Sequence, residues 1–376
     1  MAVCLLLAAL AVACDRNDPA DGPAAAGSPA PAVPRGLPAD VARKTGIRSI
    51  QTHTLRLLPS ADGVLAVATY LGGGSTKGGP GPQPSGSAAW WCAGPPCSVA
   101  DRPGPMPDSD PVPVDDGAGV VYALLRTGAS TIDLARCDPT GCRPHGSVGL
   151  PVQDHTVLEV EIDGPDLVLL HRPHSPGATV GPGASELWLA RCPIAACASG
   201  WSSHRILVST VTTAELNVEL AVRDGLPVVA HSSDYGPATV LLCADRDCAT
   251  VARRTDIAGA GMSYLPVLRI LAGGRIAILA DITLTTCDDR DCTTASVVRL
   301  PDGRGQAAYR SQIAVGRTGN PLVVTTDTSG DVLLRECADQ ACHTSSSVVI
   351  GTNSPGNESE GAVTVDHGGM PLVGWI

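Results

Sequence analysis

The 376-residue sequence contains no phenylalanine, only two lysines (Lys44 and Lys77) and few aromatic residues of any kind (3%). This bias indicates a genome rich in G and C more than any particular chemistry. Basic residues are scarce too, because 26 Lys and Arg stand against 37 Asp and Glu, for a formal net charge of −11. Such a chain lacks the basic surface with which proteins bind nucleic acid or an anionic membrane. Neither partner is expected.

Motifs of well-known enzyme classes are missing as well. The sequence has no G-x-S-x-G, no H-E-x-x-H and no phosphate-binding loop. It also lacks the S-x-D-x-G-x-x-W turns of sialidases. With only eight glutamates in the chain, no paired-carboxylate site for glycoside cleavage emerges. We therefore predict no cofactor, no metal and no catalytic residue, which favours a protein that is not an enzyme.

The N-terminus, MAVCLLLAALAVACDRND, predicts export. Its apolar run is too short to span a bilayer but fits the core of a signal peptide. The ending AVAC resembles a bacterial lipobox, whose cysteine is lipidated and becomes the first residue after cleavage. We interpret residues 1–14 as a lipoprotein signal peptide with Cys14 as the lipidation site, and a plain signal peptide is the alternative. The predicted location is the bacterial cell envelope or cell surface.

Residues 15–44 are rich in Pro, Ala and Gly and have no apolar periodicity, so they cannot bury a core. We predict that this segment is a disordered tether, which holds a folded domain of residues 45–376 away from the membrane.

Apart from Cys4 and Cys14, the cysteines form six pairs with four residues between the partners. The pairs are Cys92 with Cys97, Cys137 with Cys142, Cys192 with Cys197, Cys243 with Cys248, Cys287 with Cys292 and Cys337 with Cys342. Zinc sites usually pair cysteines two residues apart, and iron–sulfur clusters need a third cysteine nearby. A redox dithiol would be a single C-x-x-C. In an exported chain we therefore predict six local disulfides, each contributing roughly 2 kcal/mol through loop closure.

The pairs recur every 44 to 55 residues, a period typical of solenoids, propellers and arrays. A β-like run such as TIDLARC or DVLLREC precedes each pair. Two further runs joined by a Gly turn lie upstream, and another β-branched run often follows. Four antiparallel strands per repeat indicate an all-β fold, a β-propeller of four-stranded blades with disulfide-stapled outer hairpins. Seven blades are the preferred count, six are the alternative, and the domain is expected to be a monomer.

The repeats resemble a loosely defined group of secreted bacterial propeller proteins, frequent among predicted lipoproteins of myxobacteria. Blades of that group carry a D-G-x-P-V-V-like turn followed by a C-x-x-x-x-C hairpin. The match is best in DGLPVVAHSSDYGPATVLLCADRDC and TGNPLVVTTDTSGDVLLRECADQAC, and it covers most of residues 54–376. The resemblance implies a propeller fold and export, and it implies no defined reaction.

The closure of the ring has to be inferred from the two ends of the domain. The C-terminal run GAVTVDHGGMPLVGWI matches only the first two strands of a blade, which would leave an open ladder edge. We predict that residues 47–52 pair with this C-terminal blade and that Trp375 is buried at the seam.

Polar residues in the loops are the candidates for function. The staple turns hold Asp138, Asp245, Asp247, Asp288, Asp289 and Asp339. These aspartates could bind calcium, but an Asp at the start of a tight turn more simply bonds its own backbone. The loop PDSDPVPVDDG could likewise bind a cation, and we interpret it as a solvated loop. The candidate binding face consists of His171, His174, His231, Asp234 and Tyr235, which follow the second strands of two consecutive repeats.

From these features we predict a non-catalytic, lipid-anchored envelope propeller that binds a protein or a polysaccharide. Its contact with the membrane would be the lipid on Cys14. The alternative is an envelope glycan hydrolase or lyase with its site on the loop face near His171 and His231.

Overall fold

A computed structural model describes residues 51–61, 63–71, 86–92, 112–126, 131–149, 155–173, 185–198, 200–209, 217–232, 238–257, 266–280, 282–300, 311–326, 330–352 and 361–375. Within them the chain forms twenty-five β-strands, all paired antiparallel with their neighbours, and two short 3-10 turns. No helix in these ranges is long and apolar enough to cross a membrane.

Five consecutive sheets have four strands each, in sequence order from the centre outward. Blade 1 contains β4 (Val112–Asp115), β5 (Val121–Arg126), β6 (Thr131–Asp138) and β7 (Gly141–Gly149). Blade 2 contains β8 (His155–Asp163), β9 (Asp166–Pro173), β10 (Ser185–Pro193) and β11 (Ser202–Ser209). Blade 3 contains β12 (Asn217–Arg223), β13 (Leu226–Ser232), β14 (Thr239–Cys243) and β15 (Val251–Asp256). Blade 4 contains β16 (Val267–Ile270), β17 (Ile276–Ala280), β18 (Thr283–Cys287) and β19 (Ala295–Arg299). Blade 5 contains β20 (Gln312–Val315), β21 (Pro321–Thr326), β22 (Asp331–Cys337) and β23 (Ser345–Thr352).

Two further sheets are incomplete. The N-terminal sheet has three strands, β1 (Gln51–Ser60), β2 (Gly63–Leu71) and β3 (Gly86–Cys92). The C-terminal sheet has two, β24 (Gly361–Val365) and β25 (Pro371–Trp375). The all-β propeller fold is thus confirmed, but the prediction of seven four-stranded blades, or of six, is wrong. The described residues form five, because a sequence period does not reveal how many strands the terminal units complete.

The ring closes where the N-terminal sheet meets the C-terminal one, since β1 packs against β24 and β25 as well as against β4 and β5. Gln51 and Thr52 belong to β1 and pair with β2. The prediction that these two residues pair with the C-terminal blade is therefore wrong, because the β1–β2 hairpin extends through them. Residues 47–50 and the side chain of Trp375 lie outside the described part of the structure.

Burial changes from strand to strand across each blade. All five residues of β17, the second strand of blade 4, are buried. The outermost strand of the same blade, β19, is half-exposed or exposed along its length, and Val297 is 45% exposed. The second and third strands are covered on both faces by neighbouring blades, which explains their continuous apolar sequence. The outermost strand forms the rim.

Five of the six predicted disulfides are present, which confirms local pairing in those hairpins. They are Cys137–Cys142, Cys192–Cys197, Cys243–Cys248, Cys287–Cys292 and Cys337–Cys342, with Cα–Cα distances of 4.0–5.1 Å. Disulfides in this number are typical of exported proteins, which fold in oxidising compartments.

The sixth predicted disulfide, between Cys92 and Cys97, differs from the other five. Cys92 is the last residue of β3, whereas Cys97 lies outside the described residues, and so does the side chain of Cys92. The structure therefore does not show a bridge between Cys92 and Cys97. This pairing stays a prediction.

The disulfides also belong to the core between blades. Cys287 and Cys292 are fully buried and pack in one cluster with Val228 of blade 3 and Ile276 of blade 4. The cysteines of the other four blades lie in the equivalent clusters, each between its own blade and the preceding sheet. A staple therefore supports the packing of one blade on the next, in addition to closing its hairpin.

The turn inside each of the last three staples follows one pattern. Asp245, Asp289 and Asp339 accept hydrogen bonds from backbone N–H groups four and five residues further along. The second cysteine of each pair has a left-handed backbone, with φ of 53° to 60°. These contacts confirm the interpretation of these three aspartates as turn residues. Asp247 instead accepts a hydrogen bond from Ser202, and Asp288 accepts one from Arg275.

The third residue inside these staples reaches the preceding blade, where it bonds the turn between the first and second strands. The contacts are Arg246 to Asp166 (3.1 Å), Arg290 to Asp224 (3.0 Å) and Gln340 to the carbonyl oxygen of Ala272 (2.8 Å). Polar contacts at the staples thus supplement the apolar core that joins the blades.

Candidate functional site

A central cavity of about 430 Å³ lies where the first strands of the sheets meet. Its lining comes from β1, β4, β8, β12, β16, β20 and β24. Each of these strands contacts the next, and β24 contacts β1, so that they form a closed ring. A cavity of this size can accommodate a small molecule or part of a larger ligand.

Six charged side chains line this cavity, which we call the central channel. They are Arg56, Asp115, Glu159, Glu161, Glu219 and Arg269. The channel therefore holds four carboxyl groups and two guanidinium groups, contributed by five different sheets.

Two ion pairs join these groups. Arg56 of the N-terminal sheet bonds Glu159 of blade 2. Nη1 of Arg269 in blade 4 lies 3.2 Å from Oε2 of Glu219 in blade 3. Within the described residues Glu161 forms no ion pair. Because the acids outnumber the arginines, the carboxyl group of Glu161 is left to solvent or to a ligand.

The protonation of the channel glutamates follows from burial and crowding. Burial raises the pKa of Glu161 to about 8, and the carboxylates of Asp115, Glu159 and Glu219 act in the same direction against Arg269. Burial likewise raises the pKa of Glu159 to about 7, opposed by Arg56 and reinforced by Glu219. At neutral pH Glu161 is therefore mostly protonated and can donate a hydrogen bond or a proton.

The local sequence explains how the charges reach the channel. Glu159 and Glu161 are two apart in the strand β8, a spacing that places both on one side, while Val160 between them is 3% exposed and packs in the core. Glu219 and Arg269 occupy similar positions beside the buried Leu220 and Leu268. These four residues were not among the candidates predicted from the sequence, although charges inside the otherwise apolar first strand of consecutive repeats were a usable signal.

The histidines of the predicted binding face are buried inside blades. His171 in β9 is 0% exposed, lies 3.3 Å from Oγ of Ser203 through Nε2 and stacks at a tilt near Trp188. His231 in β13 is 6% exposed, and burial followed by the charge of Arg254 lowers its pKa to about 4. Neither histidine lines the central channel.

The other members of that face, His174, Asp234 and Tyr235, lie outside the described residues. The segment PDSDPVPVDDG was predicted to be a solvated loop, but Val112–Asp115 form the strand β4 and Asp115 lines the central channel. The following Asp116 accepts hydrogen bonds from the backbone of Ala118 and Val120. Across the described ranges no group of three or more His, Cys, Asp or Glu side chains could hold a metal ion.

The fold and the channel define this protein as a disulfide-stapled β-propeller with a charged centre. No protein-family model matches the sequence, and no curated protein matches it either. Among solved structures, the subtype N10 neuraminidase-like protein of A/little yellow-shouldered bat/Guatemala is similar, with 10% identity, 89% of each chain covered and a TM-score of 0.43. The Hadza microbial sialidase Hz136 is similar at 14% identity over 68% of this chain and 60% of its own, with a TM-score of 0.37. Similarities this low do not extend to activity.

Proposed function

We propose that this protein is a lipid-anchored, non-catalytic binding module of the bacterial cell envelope, which holds part of a protein or polysaccharide at its central channel. The disulfides support an envelope location, which agrees with the export signal and the tether predicted from the sequence. The observation that carries the binding role is the channel itself, a cavity of about 430 Å³ with charged groups from five sheets.

The ring around the channel supports binding more than movement. Apolar clusters that include the disulfide sulfurs, together with polar contacts, join each blade to the next, so the first strands have little freedom to rearrange. A rigid site loses little conformational entropy when it binds a ligand. Glu161 offers a hydrogen-bond donor at neutral pH, while Glu219 and Arg269 offer an acceptor and a donor beside it.

A second candidate function is glycan hydrolysis or elimination in the same channel. The observation that favours it is the raised pKa of Glu161, about 8, next to Glu159 with a pKa of about 7. Carboxyl groups held protonated near neutral pH can act as general acids on a glycosidic bond. This site differs from the one predicted near His171 and His231, because a fully buried imidazole cannot reach a polymer substrate.

One experiment separates the two functions. The folded domain, residues 45–376, is tested against immobilised bacterial envelope polysaccharides and envelope proteins, and the soluble phase is analysed for cleaved products. We expect saturable binding without product, weakened roughly tenfold or more by Glu161→Ala, which removes both the donor and the acceptor of this side chain from the channel. Glu336→Ala is the matched control, since Glu336 lies exposed on β22.

The outcomes are distinct. Product formation that Glu161→Gln abolishes would establish the enzyme, because a carboxamide cannot act as a general acid, while binding that Glu161→Ala leaves unchanged would exclude the channel as the site. Folding is not at risk in Glu161→Gln, because burial raises the pKa of Glu161, so that above about pH 5 the wild type must take up a proton on folding and the glutamine variant need not. The variant should therefore be at least as stable as the wild type at pH 8.

The membrane anchor has a separate test. Cys14, which lies outside the described residues, is expected to carry the lipid, so the full-length protein should partition into the detergent phase of a Triton X-114 extraction. Cys14→Ser should move it to the aqueous phase without loss of the folded domain, since the lipid contributes the membrane affinity. A Cys14→Ser variant that stays with the membrane would contradict the lipobox interpretation.

A further inference from the structure

A second pocket, of about 200 Å³, lies between blades 3 and 4 at the end of the molecule where the staples are. It is lined by the last residue of β12 and the turn after it, by the turn before β17 and by the staple of blade 4. We call it the inter-blade pocket. Its lining residues are Arg223, Asp224, Gly273, Gly274, Arg275, Asp288, Asp289 and Arg290.

Arg223 is the unusual residue of this pocket. It is 5% exposed, and its Nη1 donates a hydrogen bond of 2.6 Å to the carbonyl oxygen of Arg290. Its Nε is buried and has no hydrogen-bond partner among the described residues, and no described carboxylate lies within 4.0 Å of the guanidinium. A buried cation without an ion pair is costly even when one of its N–H groups donates to a carbonyl oxygen, so a charged group missing from the protein alone should compensate it.

The acids of the inter-blade pocket are already occupied. Asp224 accepts a hydrogen bond of 3.0 Å from Arg290, and Asp288 accepts one of 2.6 Å from Arg275. Asp289 accepts hydrogen bonds from the backbone of its own turn, and these bonds hold its pKa well below the usual range. None of the three is available to Arg223 without breaking an existing contact.

Two glycines line the inter-blade pocket together with Arg223. Gly274 has a φ of +79°, and a Cβ atom there would come within 3.6 Å of Cδ of Arg223. The neighbouring Gly273 has a φ of +75°. Glycines at both positions allow this left-handed turn, and the missing side chain at Gly274 leaves room against the aliphatic part of Arg223.

We propose that the inter-blade pocket binds a sulfate- or phosphate-type oxyanion, with the guanidinium group of Arg223 as the buried cation and Arg290 as a second cationic contact at the pocket edge. A guanidinium suits this role because its planar N–H groups match the oxygens of an oxyanion. The site is separate from the central channel and does not depend on the function proposed for it.

The test is calorimetric titration of the folded domain, residues 45–376, with inorganic sulfate and with inorganic phosphate at constant ionic strength. The two titrations distinguish the two anions. We expect saturable binding of at least one of them. Arg223→Gln should weaken it roughly tenfold or more, the loss expected for a charge-assisted hydrogen bond. Arg253→Gln is the control and should leave the affinity unchanged, because Arg253 is exposed on β15.

Arg290→Gln provides a second test in case Arg223→Gln does not fold, because the Arg290 side chain is 64% exposed and its replacement should not disturb the fold. This substitution should weaken binding several-fold while the protein keeps its melting temperature. The proposal is overturned if the wild type binds neither anion saturably, or if Arg223→Gln, confirmed as folded, binds as tightly as the wild type. Equal weakening by Arg253→Gln would also overturn it, because that result indicates a general charge effect.

Discussion

Replacing Arg191 with alanine is expected to lower the free energy of unfolding by roughly 3–5 kcal/mol, the usual cost of breaking a buried ion pair. Arg191 in β10 has a side chain only 5% exposed, and its Nη1 lies 2.8 Å from Asp163 and 3.0 Å from Asp166. Its Nε and Nη2 donate to the carbonyl oxygens of Arg246 and Gly225 in blade 3. The substitution would leave two carboxylates of blade 2 and two carbonyl groups of blade 3 without these donors.

Urea unfolding of the variant measures this effect, and Arg246→Ala is the matched control. Arg246 contacts the same two aspartates, but its side chain is 59% exposed, so its removal should cost only about 0–1 kcal/mol. Arg191→Lys should fall between the two, because an ammonium group keeps the charge but cannot reach all four acceptors. Equal losses for Arg191→Ala and Arg246→Ala would show that burial does not govern the contact.

The ion pairs of Arg191 and Arg246 with Asp163 also predict how the stability of the fold changes at acidic pH. Burial raises the pKa of Asp163, but the hydrogen bonds and charges of Arg191 and Arg246 outweigh it, so that the pKa is lowered overall. A lowered pKa stabilises the fold above about pH 4 and loses that contribution as the pH falls further. Arg191→Ala should therefore show a smaller loss of stability between about pH 4 and pH 2 than the wild type does.

Removing the staple of blade 4 with Cys287→Ala and Cys292→Ala together should lower the free energy of unfolding by roughly 3–4 kcal/mol. About 2 kcal/mol follows from loop closure. The rest comes from the space left by two buried sulfur atoms in the cluster between blades 3 and 4. Because that cluster joins two blades, thermal unfolding should shift for the whole domain.

The equivalent double substitution at Cys137 and Cys142 in blade 1 is the control. Cys142 is only half-buried, so this variant should lose less stability than the variant of blade 4. If both double variants lost the same free energy of unfolding, the burial of the cysteines between blades would not determine the effect, which would contradict this prediction.

Mass spectrometry of unreduced peptides from the wild type should precede the stability measurements. It should find each of the twelve paired cysteines bonded to its partner five residues away. The measurement also decides the pair that the described residues do not cover, because Cys97 should appear bonded to Cys92. A free thiol at Cys97 would show that the first hairpin is not stapled. Bridges between different blades would contradict local pairing altogether.

Much of the fold could be predicted because each blade repeats its own local signals. The regular cysteine spacing and the apolar runs before it led to the correct hairpins in the five complete blades, and Asp245, Asp289 and Asp339 bond the backbone of their own turns as predicted. Each disulfide closes a hairpin within one blade and also packs against the preceding blade. This packing could not be predicted, because it depends on contacts between residues far apart in sequence.

The channel and the blade count were harder for different reasons. Glu161 and Glu219 are far apart in sequence and meet only because successive first strands line one cavity, so a search for neighbouring carboxyl groups could not find them. His171 and His231 looked like loop residues because they end apolar runs, yet each belongs to a strand that neighbouring blades cover. The number of complete blades depends on how the chain ends pair, and no periodic signal reports that.

The most direct test of the channel as the binding site is hydrogen–deuterium exchange of the wild-type domain with and without its ligand. The ligand is the envelope polysaccharide or envelope protein that the domain binds in the experiment proposed above. Peptides covering β8 and β16, which carry Glu161 and Arg269, should exchange more slowly when the ligand is bound. Peptides covering the exposed rim strand β19 should not change. Protection confined to the rim, or to the loops that follow His171 and His231, would contradict the assignment of the binding site to the central channel.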